Sequence, residues 1–321
     1  MPADAGNAAA GFSAQAARRR QAIDPLLPEP GDQRSGCGAR LIVAGAGREP
    51  AATGTCEHHQ GSAESLDLTW GAARRFQLTV RLAGPDAVTA LDQLLSLWRD
   101  HLDGVPGADG EDAAAIVTWP SRDIDGAATL LRHGLAPLAV IAARATGRRP
   151  AGPAAAQQDL EIRRAGPADI DAVVRLGLEV IRFDAHFGSV TERPGTADAL
   201  RREAAGLLAV PGTWIWLAER DDAAIGMLCA ERPESAAWIA PMVRGAPVAY
   251  LLLMGVTPGH RGSGVGAAMV ARLHREIEAA GVAVTLLHYA QINPLSAPFW
   301  SQQGYRPLWT AYEARPARIF R

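Results

Sequence analysis

The sequence contains 321 residues, of which 48% are hydrophobic and 21% are charged, and its formal net charge is −2 at pH 7. This balance is ordinary for a globular chain and gives no reason to expect nucleic acid or a membrane surface as a partner. All 32 residues counted as Lys or Arg are arginine. The chain therefore lacks the lysine that a Schiff base with a carbonyl cofactor or a Walker-type phosphate loop requires.

The three cysteines, Cys37, Cys56 and Cys229, are scattered along the chain without the spacing of zinc ligands. Such a sparse, odd set argues against a disulfide scaffold and suits a reducing compartment. The N-terminal stretch lacks the apolar core of a secretory signal, and no window is apolar enough for a membrane span. We therefore expect a soluble cytoplasmic protein, either a monomer or a homodimer.

Residues 1–36 are polar, rich in alanine and interrupted by proline, which is typical of an N-terminal arm. This arm either carries one helix around residues 8–22 or is partly disordered. The arginine triplet at 18–20 is interpreted as a solvated patch.

The segment 37–150 alternates apolar runs with turn-rich stretches and is predicted to form a first domain. Its "CEHH" run at 56–59 offers metal-capable side chains, but neighbours on a strand point to opposite faces and no second pair follows, so we expect no metal. Strands are predicted at 39–47, 52–59, 66–71, 75–82, 113–119 and 135–144, and helices at 87–102 and 123–134.

A Pro-, Gly- and Ala-rich stretch at 146–160 has no apolar period and indicates a domain boundary, with a linker at 151–158 and a second domain at 159–321. The helix predicted at 196–210 starts at a threonine cap. In this domain, strands are predicted at 160–165, 213–222, 223–231, 246–256, 282–290 and 305–314, and helices at 167–185, 196–210, 264–281 and 294–304.

The ends of the two domains can be aligned with each other. "GLAPL" at 134–138 falls on "GYRPL" at 304–308, and "AIVTW" at 115–119 falls on "TLLHY" at 285–289. The order of the predicted elements around these segments also agrees. We therefore expect an internal duplication.

The stretch "GVTPGHRGSGVG" at 255–266 lies between a buried strand and an amphipathic helix. The first turn of a helix has unpaired N–H groups, glycines leave those groups open, and Arg261 adds a forked cation, so the stretch indicates an anion site. The glycine spacing and the lack of an acidic residue at the end of the next strand exclude a dinucleotide fingerprint.

These residues resemble the GNAT superfamily of acyl-CoA-dependent N-acetyltransferases. The family's R-x-x-G-x-G turn matches residues 261–266, its V-x-P matches 256–258, and its Asn-led segment closing on G-[F/Y] resembles 293–308. The resemblance covers about 159–321 and implies a mixed α/β GNAT acyltransferase fold, here in tandem with a degenerate GNAT-like first domain.

The resemblance also implies a binding mode for acetyl-CoA as cosubstrate, with no metal. The backbone of Val256 would pair with the pantetheine arm, the main chain near Met254 would donate to the thioester carbonyl, and Asn293 would contact the CoA arm. Gly255 is predicted to mark the bulge that opens the cleft. The pyrophosphate would lie on the turn formed by Arg261, Gly262, Ser263, Gly264, Val265 and Gly266.

The chain departs from the family at the position of its usual acidic tyrosine, where Trp300 stands. Either another group protonates the leaving thiolate, or the thiolate leaves unaided. The attacking amine must be neutral, so a base or a chain of water molecules is expected to take its proton. The candidate bases are Glu231, His288 and Tyr289. The acceptor pocket is expected to include Asp184, His186 and Trp300.

The first domain has no Arg-led glycine run, so we expect one CoA site per chain. The predicted function is transfer of an acetyl group from acetyl-CoA to a primary amine, on a small molecule or a peptide, by direct attack in a ternary complex. The alternative is a non-catalytic acyl-CoA-binding sensor or scaffold with the same fold.

Overall fold

A computed structural model of the chain describes residues 2–30, 39–45, 50–62, 64–148 and 159–319. They form two compact units, each assembled from segments that are not contiguous in sequence. Unit 1 comprises Met1–Gly61, Ala72–Val140 and Pro307–Arg321, and unit 2 comprises Ser62–Gly71 and Ile141–Arg306. The predicted linker at 151–158 lies outside the described residues, and the predicted domain boundaries remain predictions.

The elements follow the predicted order along the chain. The helices are α1 (Pro2–Ile23), α2 (Ala87–Asp103), α3 (Ile124–Arg132), α4 (Ile170–Ala185), α5 (Thr196–Leu208), α6 (Val265–Ala279) and α7 (Ser296–Gln302). The strands are β1 (Arg40–Ala44), β2 (Pro50–Gln60), β3 (Arg74–Leu82), β4 (Ala113–Pro120), β5 (Ala136–Ala145), β6 (Glu161–Arg164), β7 (Trp214–Arg220), β8 (Ala223–Glu231), β9 (Val248–Val256), β10 (Val284–Ala290) and β11 (Arg306–Ala314).

In unit 1 the strands lie in the order β1-β2-β3-β4-β11. β3 and β4 are parallel, and the other neighbours are antiparallel. α2 has buried apolar residues at three- and four-residue spacing, including Leu91, Leu94, Leu95 and Trp98. The same core cluster includes Tyr312 of β11, so the last strand of the chain completes the core of unit 1.

In unit 2 the strands lie in the order β10-β9-β8-β7-β6, with β9 and β10 parallel and the other pairs antiparallel. The apolar faces of α4 and α5 meet the sheet in one core cluster, in which Ile181 and Leu217 are fully buried. Residues 141–145 of β5 also belong to this unit. Directly after them, the backbone N–H of Thr146 donates to the carbonyl of Ala283 at 2.9 Å.

One predicted strand, at 66–71, is wrong: Leu66–Trp70 is a 3-10 helix in unit 2. The apolar-polar alternation of "LDLTW" is typical of a strand, but the hydroxyl of Ser65 accepts the N–H of Asp67 and starts a helical turn. The buried hydroxyls of Thr69 and Thr196 then hydrogen bond at 3.0 Å. The predicted threonine cap of α5 is also wrong, because Gly195 is the N-cap and Thr196 is the first helical residue.

The two units repeat one local arrangement, as the predicted duplication requires. The parallel ladder of β3 and β4 ends at the pair Gln77–Ile116, although β3 runs on to Leu82 and β4 to Pro120. Gly134 after α3 and Gly304 after α7 both have left-handed backbone, with φ of 81° and 87°. In each case the next N–H donates to the carbonyl five residues earlier, which is a Schellman turn.

The arginine triplet on α1 is only partly the solvated patch that the sequence predicted: Arg18 is exposed, but Arg19 and Arg20 are half-buried. Arg19 pairs with the buried carboxylate of Asp123 at 2.6 Å. Arg20 lies over the ring of Trp309 and donates to the carbonyl of Val80 at 3.3 Å. With residues 80–82 and 118–120, these side chains line a small cavity in unit 1. α1 therefore lies across the ends of β3 and β4, where those strands no longer pair.

Replacing Thr69 by valine should lower the free energy of unfolding by about 1–3 kcal/mol, because the buried hydroxyl of Thr196 loses one hydrogen-bond partner. Urea unfolding of the single variants and of the double variant Thr69→Val, Thr196→Val measures this effect. The double variant should lose less than the sum of the singles. Full additivity would contradict the contact.

Candidate active site

The centre of unit 2 is a pair of parallel strands that separate. β9 and β10 pair through four residues, from Val248–Val284 to Leu251–Leu287. β9 then continues to Val256 and β10 to Ala290 outside that described ladder. The main-chain groups of 252–256 on that side of β9 consequently face a cleft, and an extended ligand can pair with them as an added strand.

The bulge that opens the cleft is at Leu252, so the prediction for Gly255 is wrong. In the ladder between β8 and β9, Cys229 pairs with Leu253 and Ala230 pairs with Leu251. Leu252 is therefore an extra residue on β9. Gly255 itself stays in regular register. A Cβ at Gly255 would lie 2.3 Å from Cγ2 of Val180 on α4, so glycine is needed there because α4 packs closely against the strand.

The turn between β9 and α6 exposes the first N–H groups of the helix. Gly262 and Gly264 have φ of 76° and 89°, a region that favours glycine. Gly264 is the N-cap and provides no side-chain cap for α6. A Cβ at Gly266 would lie 3.0 Å from Cε of Met254, so a larger residue at this position would require the Met254 side chain to shift. The turn therefore has the uncovered amides that suit an anion.

Arg261 is held beside this turn by two contacts. Its Nε donates to the carbonyl of Val256 at 2.9 Å, and its Cζ lies 4.3 Å from the centre of the Phe183 ring on α4. The side chain of Ser263 donates to the carbonyl of His260 at 2.7 Å and tightens the same turn. Val265 is buried and fixes the start of α6. A solvent-exposed guanidinium is thus positioned next to the amides of the turn.

The structure brings the predicted residues Asp184 and Asn293 together. Nδ2 of Asn293 donates to Oδ1 of Asp184 at 3.0 Å, and Oδ1 of Asn293 accepts the N–H of Leu295. Desolvation raises the pKa of Asp184, and the Asn293 hydrogen bond and the nearby Arg261 oppose that rise. Asn293 is buried, so its side chain fixes the end of α4 to the segment that precedes α7.

Glu231 lies at the end of β8, opposite Tyr250 in the register with β9. Its Oε2 accepts a hydrogen bond from Nε1 of Trp238 at 2.8 Å, and Trp238 is 57% exposed. Desolvation raises the pKa of Glu231 despite that hydrogen bond. Desolvation and the charge of Glu231 also raise the pKa of Glu203 on α5. Two carboxyls with raised pKa values therefore lie near one end of the cleft.

His288 is the first residue of β10 beyond the ladder, and its Nδ1 lies 2.8 Å from the hydroxyl of Tyr250. Solvent reaches the side chain, yet the surrounding protein desolvates it enough to lower its pKa to about 4. Tyr289 is buried, and because side chains alternate along a strand it points to the opposite face. His288 and Tyr289, which the sequence proposed as equivalent candidate bases, thus lie on opposite faces of β10.

Tyr250 was missed by the sequence reasoning. In the parallel register it pairs with Leu286, which places His288 two residues further along on the same face. That relation follows only once the pairing of β9 with β10 is known. Its ring packs edge-on against Trp238 and His288, so Tyr250 links the Glu231 end of the cleft to His288.

The other two residues predicted to contact the acceptor, His186 and Trp300, differ in their exposure to solvent. His186 is exposed and caps the end of α4, with Nδ1 2.9 Å from the carbonyl of Arg182. Trp300 is only 8% exposed and packs edge-to-face against Phe299 and Tyr305. Trp300 is therefore part of the interior of unit 2, and its contact with an acceptor stays a prediction.

No group of three or more His, Cys, Asp or Glu residues suited to a metal occurs in the described part of the chain. Within "CEHH", Cys56 is buried, and His58 packs edge-on against Phe76. Cys56 and Cys229 are free thiols, and Cys37 lies outside the described residues. Among the described helices, none combines the length and the apolar character that crossing a membrane requires.

Comparison with known proteins supports the resemblance seen in the sequence. Residues 182–305 match the model of the acetyltransferase (GNAT) family. No curated protein matches the chain. The matched residues include the 261–266 turn on which the resemblance rests, so this segment is similar to the GNAT family of acetyltransferases.

Solved structures extend the likeness to most of the chain. A GCN5-related N-acetyltransferase from Sphaerobacter thermophilus has a TM-score of 0.55 at 15% identity, covering 87% of this chain and 81% of that one. An acetyltransferase of the GNAT family from Colwellia psychrerythraea has a TM-score of 0.49 at 11% identity, with 92% and 93% covered. A tandem GNAT protein from the clavulanic acid pathway has a TM-score of 0.42 at 15% identity, with 87% and 82% covered. The first likeness supports the fold alone, and the predicted α/β GNAT fold is confirmed.

We expect His288 to titrate near pH 4 in histidine NMR spectra of the folded protein. Because this pKa is lower than the 6.5 of an ordinary histidine, the unfolded chain binds the proton more readily. The contribution of His288 to stability is thus complete above about pH 6.5 and is lost as the pH falls toward 4. In His288→Gln, the free energy of unfolding should fall less over this interval, and an unchanged slope would contradict the assignment.

Proposed function

We propose that this protein is an acetyl-CoA-dependent N-acetyltransferase that transfers the acetyl group to a primary amine by direct attack in a ternary complex. The observation that carries this proposal is the separation of β9 and β10 directly beside the uncapped turn of α6. The end of β9 would pair with the extended arm, and the turn before α6 would bind the pyrophosphate. These two parts are consecutive in the chain.

The residues of this stretch fit CoA in shape and in charge. The amides at 262–266 and the guanidinium of Arg261 would bind the pyrophosphate, because oriented N–H groups and a fixed cation both favour a phosphate anion. The backbone of Val256 would pair with the pantetheine arm. Asn293 is buried and its amide is already hydrogen bonded, so we assign it a role in positioning the segment before α7 next to the CoA arm.

In the proposed reaction, the amine nitrogen attacks the thioester carbonyl carbon. A C–N bond forms, the C–S bond breaks, and the electron pair leaves with the sulfur. A main-chain N–H near Met254 would stabilise the negative charge that develops on the carbonyl oxygen. Trp300 has no acidic proton to give, so the thiolate would take its proton from water.

We assign the role of general base to Glu231. It lies next to the point where the strands separate, and a carboxylate with a raised pKa is better matched to an ammonium proton than an ordinary one. Trp238 donates a hydrogen bond to one of the two carboxylate oxygens of Glu231, Oε2. The His288–Tyr250 pair is the second candidate, since His288 is neutral at pH 7 and retains its Nε2 for a proton. Tyr289 is the weakest of the three because it is buried and points to the opposite face.

The acceptor is proposed to be a cationic amine, on a small molecule or a peptide. Glu203 and Glu231 raise the local negative charge at one end of the cleft, and Asp184 adds a third carboxyl in the same unit. A cation near the first two carboxyls would relieve their mutual repulsion. His186 and Trp300 are kept as predicted acceptor contacts of lower rank.

One CoA site per chain is proposed, in unit 2. In unit 1, the ends of β3 and β4 separate in the same way, but α1 lies across them with Arg19 and Arg20. The residue at the N-cap of α2 is Asp86, whose negative charge opposes a phosphate. Unit 1 therefore has a structural role in this proposal.

Replacing Gly264 by valine should abolish measurable CoA binding in calorimetry, because a branched side chain is strained at φ 89° and would cover the amides. Gly259→Val is the matched control in the same turn, since no atom lies within 4 Å of a Cβ at that position. The control should bind CoA like the parent. Unchanged affinity in Gly264→Val, with a normal melting temperature, would overturn the assignment of the site.

Replacing Glu231 by glutamine should lower kcat by about 10²- to 10⁴-fold while leaving CoA affinity unchanged. Thiol release from acetyl-CoA is measured with a panel of polyamines, amino sugars and lysine peptides. Glu234→Gln is the control, since Glu234 is exposed three residues away. A loss of activity in His288→Gln but not in Glu231→Gln would transfer the role of base to His288. CoA binding without turnover by the parent, with every amine in the panel, would support the non-catalytic sensor instead.

A further inference from the structure

Unit 2 contains a buried guanidinium, and only some of its N–H groups donate hydrogen bonds to described protein groups. Arg144 on β5 is 2% exposed, and its Nη2 donates to the carbonyl of Arg148 at 2.6 Å. Its Nε and Nη1 are buried without an acceptor among the described residues. No described carboxylate lies within ion-pair distance of it. A buried charge left in this state is costly, because it has lost its hydration and gained no counter-charge.

The polar groups around Arg144 are buried and can donate hydrogen bonds. His274 on α6 and Tyr305 after α7 are 5% and 3% exposed, and their rings lie 5.9 Å apart. Nε2 of His274 is buried without a hydrogen-bond partner among the described residues. The hydroxyls of Tyr305 and Thr285 are also buried, and their side chains interact with each other. Desolvation, and then the charge of Arg144, lower the pKa of His274 to about 3, so the imidazole is neutral and adds no second cation.

Among the described residues, Glu278 is the carboxylate that acts on the charge of Arg144. Glu278 favours the charged guanidinium, but this carboxylate is at the exposed surface of α6. Burial raises the pKa of Tyr305, which keeps that hydroxyl a neutral donor. A Cβ at Gly304 would lie 3.5 Å from Nε of Arg144, an ordinary contact distance, so the glycine adds no side chain beside this N–H. The cluster combines one buried cation and several hydrogen-bond donors.

We propose that Arg144, His274 and Tyr305 bind a small monovalent anion, such as chloride, in the interior of unit 2. The anion would accept hydrogen bonds from Nε and Nη1 of Arg144, from the Tyr305 hydroxyl and from the Nε2–H tautomer of His274. It would neutralise the guanidinium and join β5, α6 and the turn after α7. Buried water, which also binds orphan donors, is the competing occupant, but water leaves the charge uncompensated.

The direct test is a crystal of the full chain grown in sodium bromide, with diffraction measured at the bromine absorption edge. The proposal requires an anomalous peak within hydrogen-bond distance of Nε or Nη1 of Arg144. Ordered water with no anomalous peak at that position would overturn it.

A solution test compares melting temperatures in sodium chloride and in sodium gluconate at constant ionic strength. The parent should gain stability with chloride in a saturable manner, and Arg144→Met should lose that gain. Arg275→Met removes a positive charge from the exposed face of α6, and this variant should keep the stability gain with chloride. An equal chloride response in Arg144→Met and in the parent would contradict the proposal.

Tyr305→Phe tests the site if Arg144→Met does not fold, because phenylalanine retains the ring that packs on Trp300 and His274. Losing one hydrogen bond to a charged partner should raise the chloride concentration for half-maximal stabilisation about tenfold. An unchanged midpoint would exclude the Tyr305 hydroxyl from the site and overturn the proposed ligand set.

Discussion

The candidate active site depends on the point at which the hydrogen-bond ladder between β9 and β10 ends. The described ladder between β9 and β10 has only four residue pairs, and β9 runs on to Val256 beyond it. Buried backbone groups need partners, so a sheet that opens at its centre is costly unless a ligand or solvent replaces the missing strand. The bulge at Leu252 and the close packing of α4 on Gly255 fit this opening, since both act on the part of β9 that has no parallel neighbour.

The second constraint is the shape of the turn that follows. Gly262 and Gly264 take left-handed backbone, and Gly264 starts α6 without a side-chain cap. A natural helix start usually has a capping side chain, so its absence here leaves the first amides available. Arg261 is kept beside them by the ring of Phe183 and the carbonyl of Val256 rather than by a carboxylate. The nearby carboxyl of Asp184 also interacts with this charge.

The two units use the same opening in different ways. In unit 1, the region beyond the short ladder of β3 and β4 is covered by α1, whose arginines contact Trp309, Val80 and Asp123. In unit 2, the corresponding region lies next to the glycine turn. A duplicated architecture can therefore keep its sheet geometry while one copy covers the cleft with its own chain.

The sequence by itself determined most of the helices and strands and the position of the glycine turn between β9 and α6. Periodicity and glycine placement are local properties, so the turn at 261–266 could be located from spacing alone. Tertiary structure decided what depends on register and burial. Only strand pairing placed Tyr250 against His288 and moved the bulge from Gly255 to Leu252. Only packing turned "LDLTW" into a helical turn held by Thr196, and only burial distinguished Trp300 and Tyr289 from exposed His186. These contacts join residues far apart in the chain, and a local pattern carries no information about which distant groups will meet.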